Sequence, residues 1–341
     1  METIRKEHKL CLCCMEEHEV SYVRVKEVNV FKGIQVEYDA FYEYCDVADE
    51  YFSTDNLISE NDVSLKNAYR KKMGLLESNQ ICSIRQKYGI SQSDLAILLG
   101  WGEKTITRYE SHQVQDAAHD VILKKLDSDP EWFLSLLKNN QTKFSNSTFK
   151  KYFETSSKLY EDTQDDYLRR TIVAKYVRYE NHPDCCGNTK LDLDKVIEVI
   201  CYFANSDKVK NLFKVKLMKL LWYSDALSFK RRGHSITGLV YQALPMGAVP
   251  IQSDLIIDLN GIDYEEVLIN DHSAYSFTSN SRKEYTHLLD DDINVLDRII
   301  TVFGSSNKEQ IVAAMHKETA YTETKLKDII HYKYACQLSI D

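Results

Sequence analysis

The sequence predicts a mainly α protein with a small N-terminal β-hairpin module, a helical bundle, and a second, mostly helical domain carrying a short β element. Three observations predict this. Apolar residues recur at the helical period from Gln80 to Lys125 and again from Leu191 to Arg232. The 341 residues include only 4 Pro and 11 Gly, so few positions interrupt a helix. Strict alternation of the strand type is confined to VSYVRVKEVNVFKGIQVEY, near the start. A chain of this length is expected to form two or three domains. Composition shifts divide it into 1–55, 56–138, 139–190 and 191–341.

Charge and cysteine content narrow the functional classes. The net charge is −9, but Arg70–Leu126 holds 9 Lys/Arg against 6 Asp/Glu, a local basic excess of the kind a nucleic-acid-binding face needs. No apolar run approaches the ~20 residues of a membrane span, and the polar start METIRKEHK lacks a signal-peptide core. A cytoplasmic protein without membrane contact is therefore expected. The 9 Cys, an odd number, read as reduced thiols, buried small residues or metal ligands.

Taking the elements in order, Cys11 and Cys14 have the two-residue gap of a zinc knuckle, whose thiolates occupy neighbouring corners of a tetrahedron. Alternation then sets Tyr22, Arg24 and Lys26 against Val23 and Val25, and Lys32-Gly33 reads as a hairpin turn. In YEYCDVADEYF, Cys45 is followed by Ala48 where a fourth ligand is expected. Cys13, His18 or His8 remain as substitutes, and zinc is expected to be absent or weakly held by Cys11, Cys14 and Cys45 in a metal-free remnant hairpin. Ser53-Thr-Asp-Asn and Ser59-Glu-Asn-Asp then offer two helix starts ahead of an amphipathic run.

Gly89 and Gly100 punctuate the bundle, Ser91 is placed to cap a second helix, and a third is expected to begin near Glu103. Its apolar side is thin, with Ile106 and Tyr109, while Lys104, Thr105, Thr107 and Arg108 offer donors suited to phosphates and base edges. This pattern reads as a helix-turn-helix; an ordinary helical hairpin is the alternative. ISQSDLAILLGWGEKTITRYE resembles the phage-repressor and antitoxin type of that motif. The resemblance implies that Ser91, Gln92 and Ser93 open the second helix, that Glu103, Lys104, Thr105 and Thr107 face operator DNA, and that Arg108 contacts backbone. Ser111-His112-Gln113 stands where the family has Gly or Asn-Gly. The N-terminal segment likewise resembles the zinc ribbon of MqsA-type antitoxins, minus its last Cys.

Further along, Asp116 and Asp129-Pro130 start two more helices, with Trp132, Leu134 and Leu137 expected to close the bundle's core. KNNQTKFSNSTF, 138–149, reads as a linker, and 150–179 as a helix whose seam serves a dimer face or docks on the next domain. NHPDCCGNTK reads as a loop despite its vicinal Cys185-Cys186 and His182. The helix FKVKLMKLLWYSDALSFKRRGHSI is apolar around most of its circumference, as in a helix buried on several sides. Lys208–Arg232 holds 8 Lys/Arg and 1 Asp/Glu, whereas Asp254–Asp297 holds 11 Asp/Glu and 2 Lys/Arg, which suits either a complementary partner or two solvated faces.

KLLWYSDA (Lys219–Ala226), GAVP (Gly247–Pro250) and HKETAY (His316–Tyr321) together resemble the Panacea, SocA-like antitoxin domain over about residues 191–341. Ala248 and Tyr321 stand where that family has Pro and Trp. The resemblance implies a cognate toxin protein as partner, met through Lys219, Trp222, Tyr223, Asp225, Gly247, Val249, Pro250, His316, Glu318 and Tyr321. With operator DNA as second partner, a homodimer is expected. A regulator of a phage or mobile element, sensing some other partner or ligand, is the alternative function, and a thiol enzyme is a third. For catalysis Cys201 would have to work with His234 or His316, yet Cys201 lies on an apolar helical face beside Ile200 and Phe203. No catalytic residue is expected. Asp225 reads as an acceptor for backbone or Tyr groups, and His316 and Glu318, two apart on one helix, as pointing to different sides.

Overall fold

The computed structural model describes residues 1–269, 272–279 and 284–341. The chain is mainly α with an N-terminal β module, and it divides into two compact units, Met1–Tyr160 and Glu161–Asp341. In the first unit β1 (Glu2–Leu10), β2 (Glu17–Phe31), β3 (Ile34–Cys45) and β4 (Glu50–Phe52) form one antiparallel sheet in chain order. Lys32 and Gly33 join β2 to β3 with φ of 48° and 77°, and Phe31 pairs with Ile34. Two successive left-handed residues give the turn whose twist matches that of paired strands.

Helix α1 (Asp55–Lys72) starts at Thr54, whose side chain accepts from Leu57 N–H. It lies along β3, where Asn61 accepts from Phe41 N–H at 2.7 Å and donates to Phe41 O at 2.8 Å. Ser64 adds a bond to Asp39 O at 2.7 Å, so polar side chains of the helix complete backbone bonding of the strand. The second expected helix start, Ser59, lies inside α1 with its hydroxyl donating to Asp55 O.

Five helices build the bundle: α2 (Ser78–Lys87), α3 (Gln92–Leu99), α4 (Thr105–Glu110), α5 (Ala117–Ser128) and α6 (Pro130–Asn139). Ile81, Ile84, Leu95, Leu98, Ile106, Leu123 and Leu126 form its core, and the Tyr88 ring stacks on Phe133 at 3.8 Å. Phe133 and Leu137 belong to this core and Trp132 packs against it partly buried, while Leu134 is buried but outside the cluster. The expected linker is structured: Phe144 and Phe149 pack on the core, and α7 (Asn146–Tyr176) begins within it. Ser145 accepts from Thr148 N–H, so a residue that looked like linker composition is a helix start.

The second unit contains α8 (Pro183–Cys186), α9 (Leu193–Ala204), α10 (Lys214–Arg232), β5 (Tyr241–Leu244), β6 (Gly247–Pro250), α11 (Ser253–Ile257), β7 (Tyr264–Ile269), β8 (His272–Phe277), α12 (Asp290–Phe303), α13 (Lys308–Met315), α14 (Thr319–Thr322) and β9 (Ile329–Ile330). The expected Cys185-Cys186 loop is a single helical turn, opened by Pro183 and ended by Gly187 at φ 64°. Small sheets run β6-β5-β9 and β7-β8. Every residue of α10 from Lys216 to Ser228 is buried, with α9, α12, α13 and β6 packed against it. Among the described residues no helix is long and apolar enough to cross a membrane.

Candidate functional site

The segment 91–110 takes the form of two short helices, α3 and α4, separated by a turn that opens with Gly100 at φ 71°. Ser91 caps α3 by accepting from Asp94 N–H at 3.1 Å, with the Ser93 hydroxyl 3.2 Å away. Gln92 ties the helices together, accepting from Thr107 at 2.9 Å and donating to Glu110 at 2.6 Å. Glu110 in turn receives Arg85 of α2 through both oxygens, at 2.6 and 3.1 Å. Helix α4 begins at Thr105, two residues after Glu103, so Glu103 and Lys104 lie in the preceding turn. Glu103, Lys104 and Arg108 are exposed, and Ser91, Gln92, Ser93, Thr105 and Thr107 are half-buried.

Arg70, which carried no signal in the sequence, ends α4. This fully buried guanidinium donates to Tyr109 O at 2.8 Å, Gln113 O at 2.7 Å, Gln115 Oε1 at 3.1 Å and Asn67 Oδ1 at 2.7 Å. Carbonyls that a Gly-based C-cap would leave to its own turn are here satisfied by an arginine from α1. Ser111-His112-Gln113 therefore follow α4 without a glycine. Burial lowers the Arg70 pKa from its ordinary value, and its bonds are those of a charged donor.

At the opposite end of the β sheet, Cys11, Cys14, His18 and Cys45 place their ligand atoms within 4.8 Å of one another. The Cys14 and Cys45 sulfurs lie 3.3 and 3.5 Å from His18 Nε2. Burial pushes the Cys11 thiol up, but bonds from the Cys14 and Cys13 backbone and from His18 more than offset it, leaving it at about 6. His18 belongs to this group although the sequence placed it only among three substitutes. Contact across 27 residues leaves no trace in local spacing.

In the second unit the three quoted motifs converge. Asp225 is fully buried and accepts from Ile236 N–H and Thr237 N–H, both at 2.9 Å, from the Thr237 hydroxyl at 2.6 Å and from Tyr241 OH at 2.7 Å. Burial raises its carboxyl to about 6 against the pull of those donors. Lys219, also fully buried, donates to Ala248 O at 3.0 Å, and burial lowers it to about 7. Gly247 has φ of 105°, and a Cβ there would meet Met315 Cγ at 2.7 Å and Lys219 Cε at 2.9 Å. The glycine thus makes room for the lysine.

Tyr223 donates to Glu318 at 3.2 Å, and Ser339 N–H reaches the other Glu318 oxygen at 3.1 Å. Trp222 packs edge-on to Tyr241 at 5.1 Å, and His316 stacks on Tyr321 at 4.5 Å. Tyr321 OH donates to Leu244 O at 3.0 Å. Because α13 ends at Met315 and α14 starts at Thr319, His316 and Glu318 occupy the turn between helices and not one helix as expected. Lys219, Trp222, Tyr223, Asp225, Gly247, Pro250 and Glu318 are buried, whereas Val249, His316 and Tyr321 are half-buried. Elsewhere in the unit, Cys201 is buried and donates to Gly261 O at 3.1 Å, while His234 is exposed and bonds Ser235 O.

Residues 217–321 match the family described as Antitoxin SocA-like, Panacea domain. This span contains the buried α10 cluster, the β5–β6 hairpin and the α13–α14 turn, and it gives the second unit an antitoxin-type domain. Comparison with curated proteins and with solved structures found no match.

Proposed function

We propose that this chain is a DNA-binding antitoxin of a type II toxin–antitoxin system, neutralising a cognate toxin by direct binding and repressing the operon that encodes both. The family match over 217–321 carries the reading, because an antitoxin-type domain implies a toxin partner. The exposed Lys104 and Arg108 beside the α3–α4 turn support the second activity, since side chains that face solvent on a helix-turn-helix are those able to meet phosphates and base edges. The division of labour is 1–55 as a degenerate ribbon-like module, 56–138 as operator reader, 139–190 as connector and 191–341 as toxin binder. A homodimer would pair half-sites about 34 Å apart. Within the toxin binder the buried Lys219, Trp222, Tyr223, Asp225 and Glu318 hold the shape, and Val249, His316 and Tyr321 lie nearest the surface that a toxin would meet. Nothing in this reading requires catalysis.

The test has two arms on the full chain. Co-expression should restore growth to cells carrying the neighbouring toxin, and the chain should bind its own promoter. Lys104→Ala with Arg108→Ala should weaken promoter binding and reduce the slope of log affinity against log salt by about 2, one phosphate contact for each cation. Rescue without promoter binding would remove the repressor half of the proposal. Promoter binding without rescue would favour a regulator of another kind, for which a cavity of about 490 Å³ lined by Tyr176, Tyr179, Leu191 and Gly238 offers a ligand site.

A further inference from the structure

The Cys11, Cys14, His18 and Cys45 group has the composition and spacing of a closed tetrahedral site. We propose that these four side chains bind one zinc ion, with His18 supplying the fourth ligand that Ala48 lacks. Three features of the protein carry this beyond proximity.

The first is spacing. Bonds of about 2.3 Å to sulfur and about 2.0 Å to nitrogen at tetrahedral angles put a sulfur and a nitrogen about 3.5 Å apart. His18 Nε2 lies 3.3 Å from the Cys14 sulfur and 3.5 Å from that of Cys45.

The second is orientation. His18 Nδ1 is 2.7 Å from Glu19 O, a bond in which only an N–H can be the donor. With Nδ1 engaged by that carbonyl, Nε2 is the ring nitrogen that faces the sulfurs, the arrangement that orients metal-bound histidines.

The third is the frame. Met15 and Asp49 hold φ of 62° and 55°, immediately after Cys14 and Ala48, so the β1–β2 and β3–β4 turns, which meet at one end of the sheet, both place a left-handed residue after the knuckle position. In the second turn Ala48 has no ligand atom, but its N–H lies 3.3 Å from the Cys45 sulfur, as an N–H that stabilises a thiolate does. The surrounding core is small: Cys11, Val20 and Cys45, with Cys13, Cys14 and Phe52 partly buried against it, so the candidate ligands make up most of it. The other substitutes fall away. Cys13 points toward Glu50, with its sulfur 3.8 Å from the carboxylate, and His8 is exposed on β1 opposite Glu19. The sequence expects a fourth ligand in the second turn, where Ala48 stands, and leaves Cys13, His18 or His8 as substitutes for it. It comes from the strand that leaves the first.

This site stands apart from the toxin and operator proposals, and its test needs neither. The full chain, purified under reducing conditions without added metal or chelator, should carry about one zinc per chain by elemental analysis. Cys14→Ser and His18→Ala should lose the ion, and Cys13→Ser and His8→Ala should keep it. Replacement by Co²⁺ should produce visible bands with thiolate charge transfer from three sulfurs. Alkylation read by mass spectrometry should find Cys11, Cys14 and Cys45 protected until a chelator is added, with Cys13 reacting in both states. His18→Cys covers the case in which the alanine variant fails to fold: retention of cobalt with a four-sulfur spectrum supports the assignment. Failure of the wild-type chain to hold zinc or cobalt after reconstitution overturns the site. An unaltered cobalt spectrum in folded His18→Ala or His18→Cys overturns the role of His18.

Discussion

The segment 91–110 and the segment 217–321 treat their motif charges in opposite ways. Glu103, Lys104 and Arg108 stand in solvent, whereas Lys219, Asp225 and Glu318 are sealed in the core with their partners around them. Solvated charges at a turn contribute little to folding and remain available to a ligand. Buried ones are committed to neighbours and contribute chiefly to shape. Two sets of polar letters, equally conspicuous in the sequence, therefore have different consequences when changed.

The largest break in that contrast is expected at Asp225. Asp225→Ala strands two backbone N–H groups and two hydroxyls in a dry core, and the loss of stability should be roughly 3–5 kcal/mol, read by chemical denaturation. A change below about 1 kcal/mol would mean that water replaces the carboxylate and that the site is not closed.

Next is the pH dependence set by Lys219. Its folded pKa is about 7 against an ordinary 10.5, so between those values the unfolded chain binds the extra proton. Stability from this group is complete above the unfolded value and is lost as pH falls toward 7, with a slope on the order of 1.4 kcal/mol per pH unit. Lys219→Met lacks that dependence, so its advantage over the wild type should shrink between pH 7.5 and about 9.5. A constant difference across that range would place the ammonium in contact with solvent.

Smaller effects belong to the first segment. Ser91→Ala should cost about 1 kcal/mol by removing the cap on α3. Lys104→Ala and Arg108→Ala should each shift stability by no more than about 0.5 kcal/mol while changing promoter binding. Large destabilisation by either would show that these cations hold the bundle together and would erase the contrast.

How much of this was legible follows from the range of the signals. Gly89, Gly100, Ser91 and the Lys32-Gly33 turn act within a few residues, so their roles could be read directly. The stretch 138–149 was misread because Asn and Ser mark both linkers and helix starts, and only the packing of Phe144 and Phe149 separates the two. His316 and Glu318 were misplaced because nothing in KEQIVAAMHKETA marks the break after Met315. His18 and Arg70 act across 27 and 39 residues, where no periodic pattern reaches. In the second unit, burial of Lys219 was concealed by its charge, since lysine seldom enters a core.

The arginine that ends α4 has an evolutionary consequence. Arg70 fills its donors with Tyr109 O, Gln113 O, Asn67 and Gln115, and Gln115 is itself held by Leu76 O at 2.7 Å and Asp120 at 2.9 Å. No one of these side chains can drift alone without leaving a buried charge or amide unmatched. Lineages descended from this chain should keep Arg70, Gln115 and Asp120 together or exchange them together. A lineage that loses the arginine should carry glycine at position 111 or 112, where a Gly-based C-cap would satisfy the end of α4.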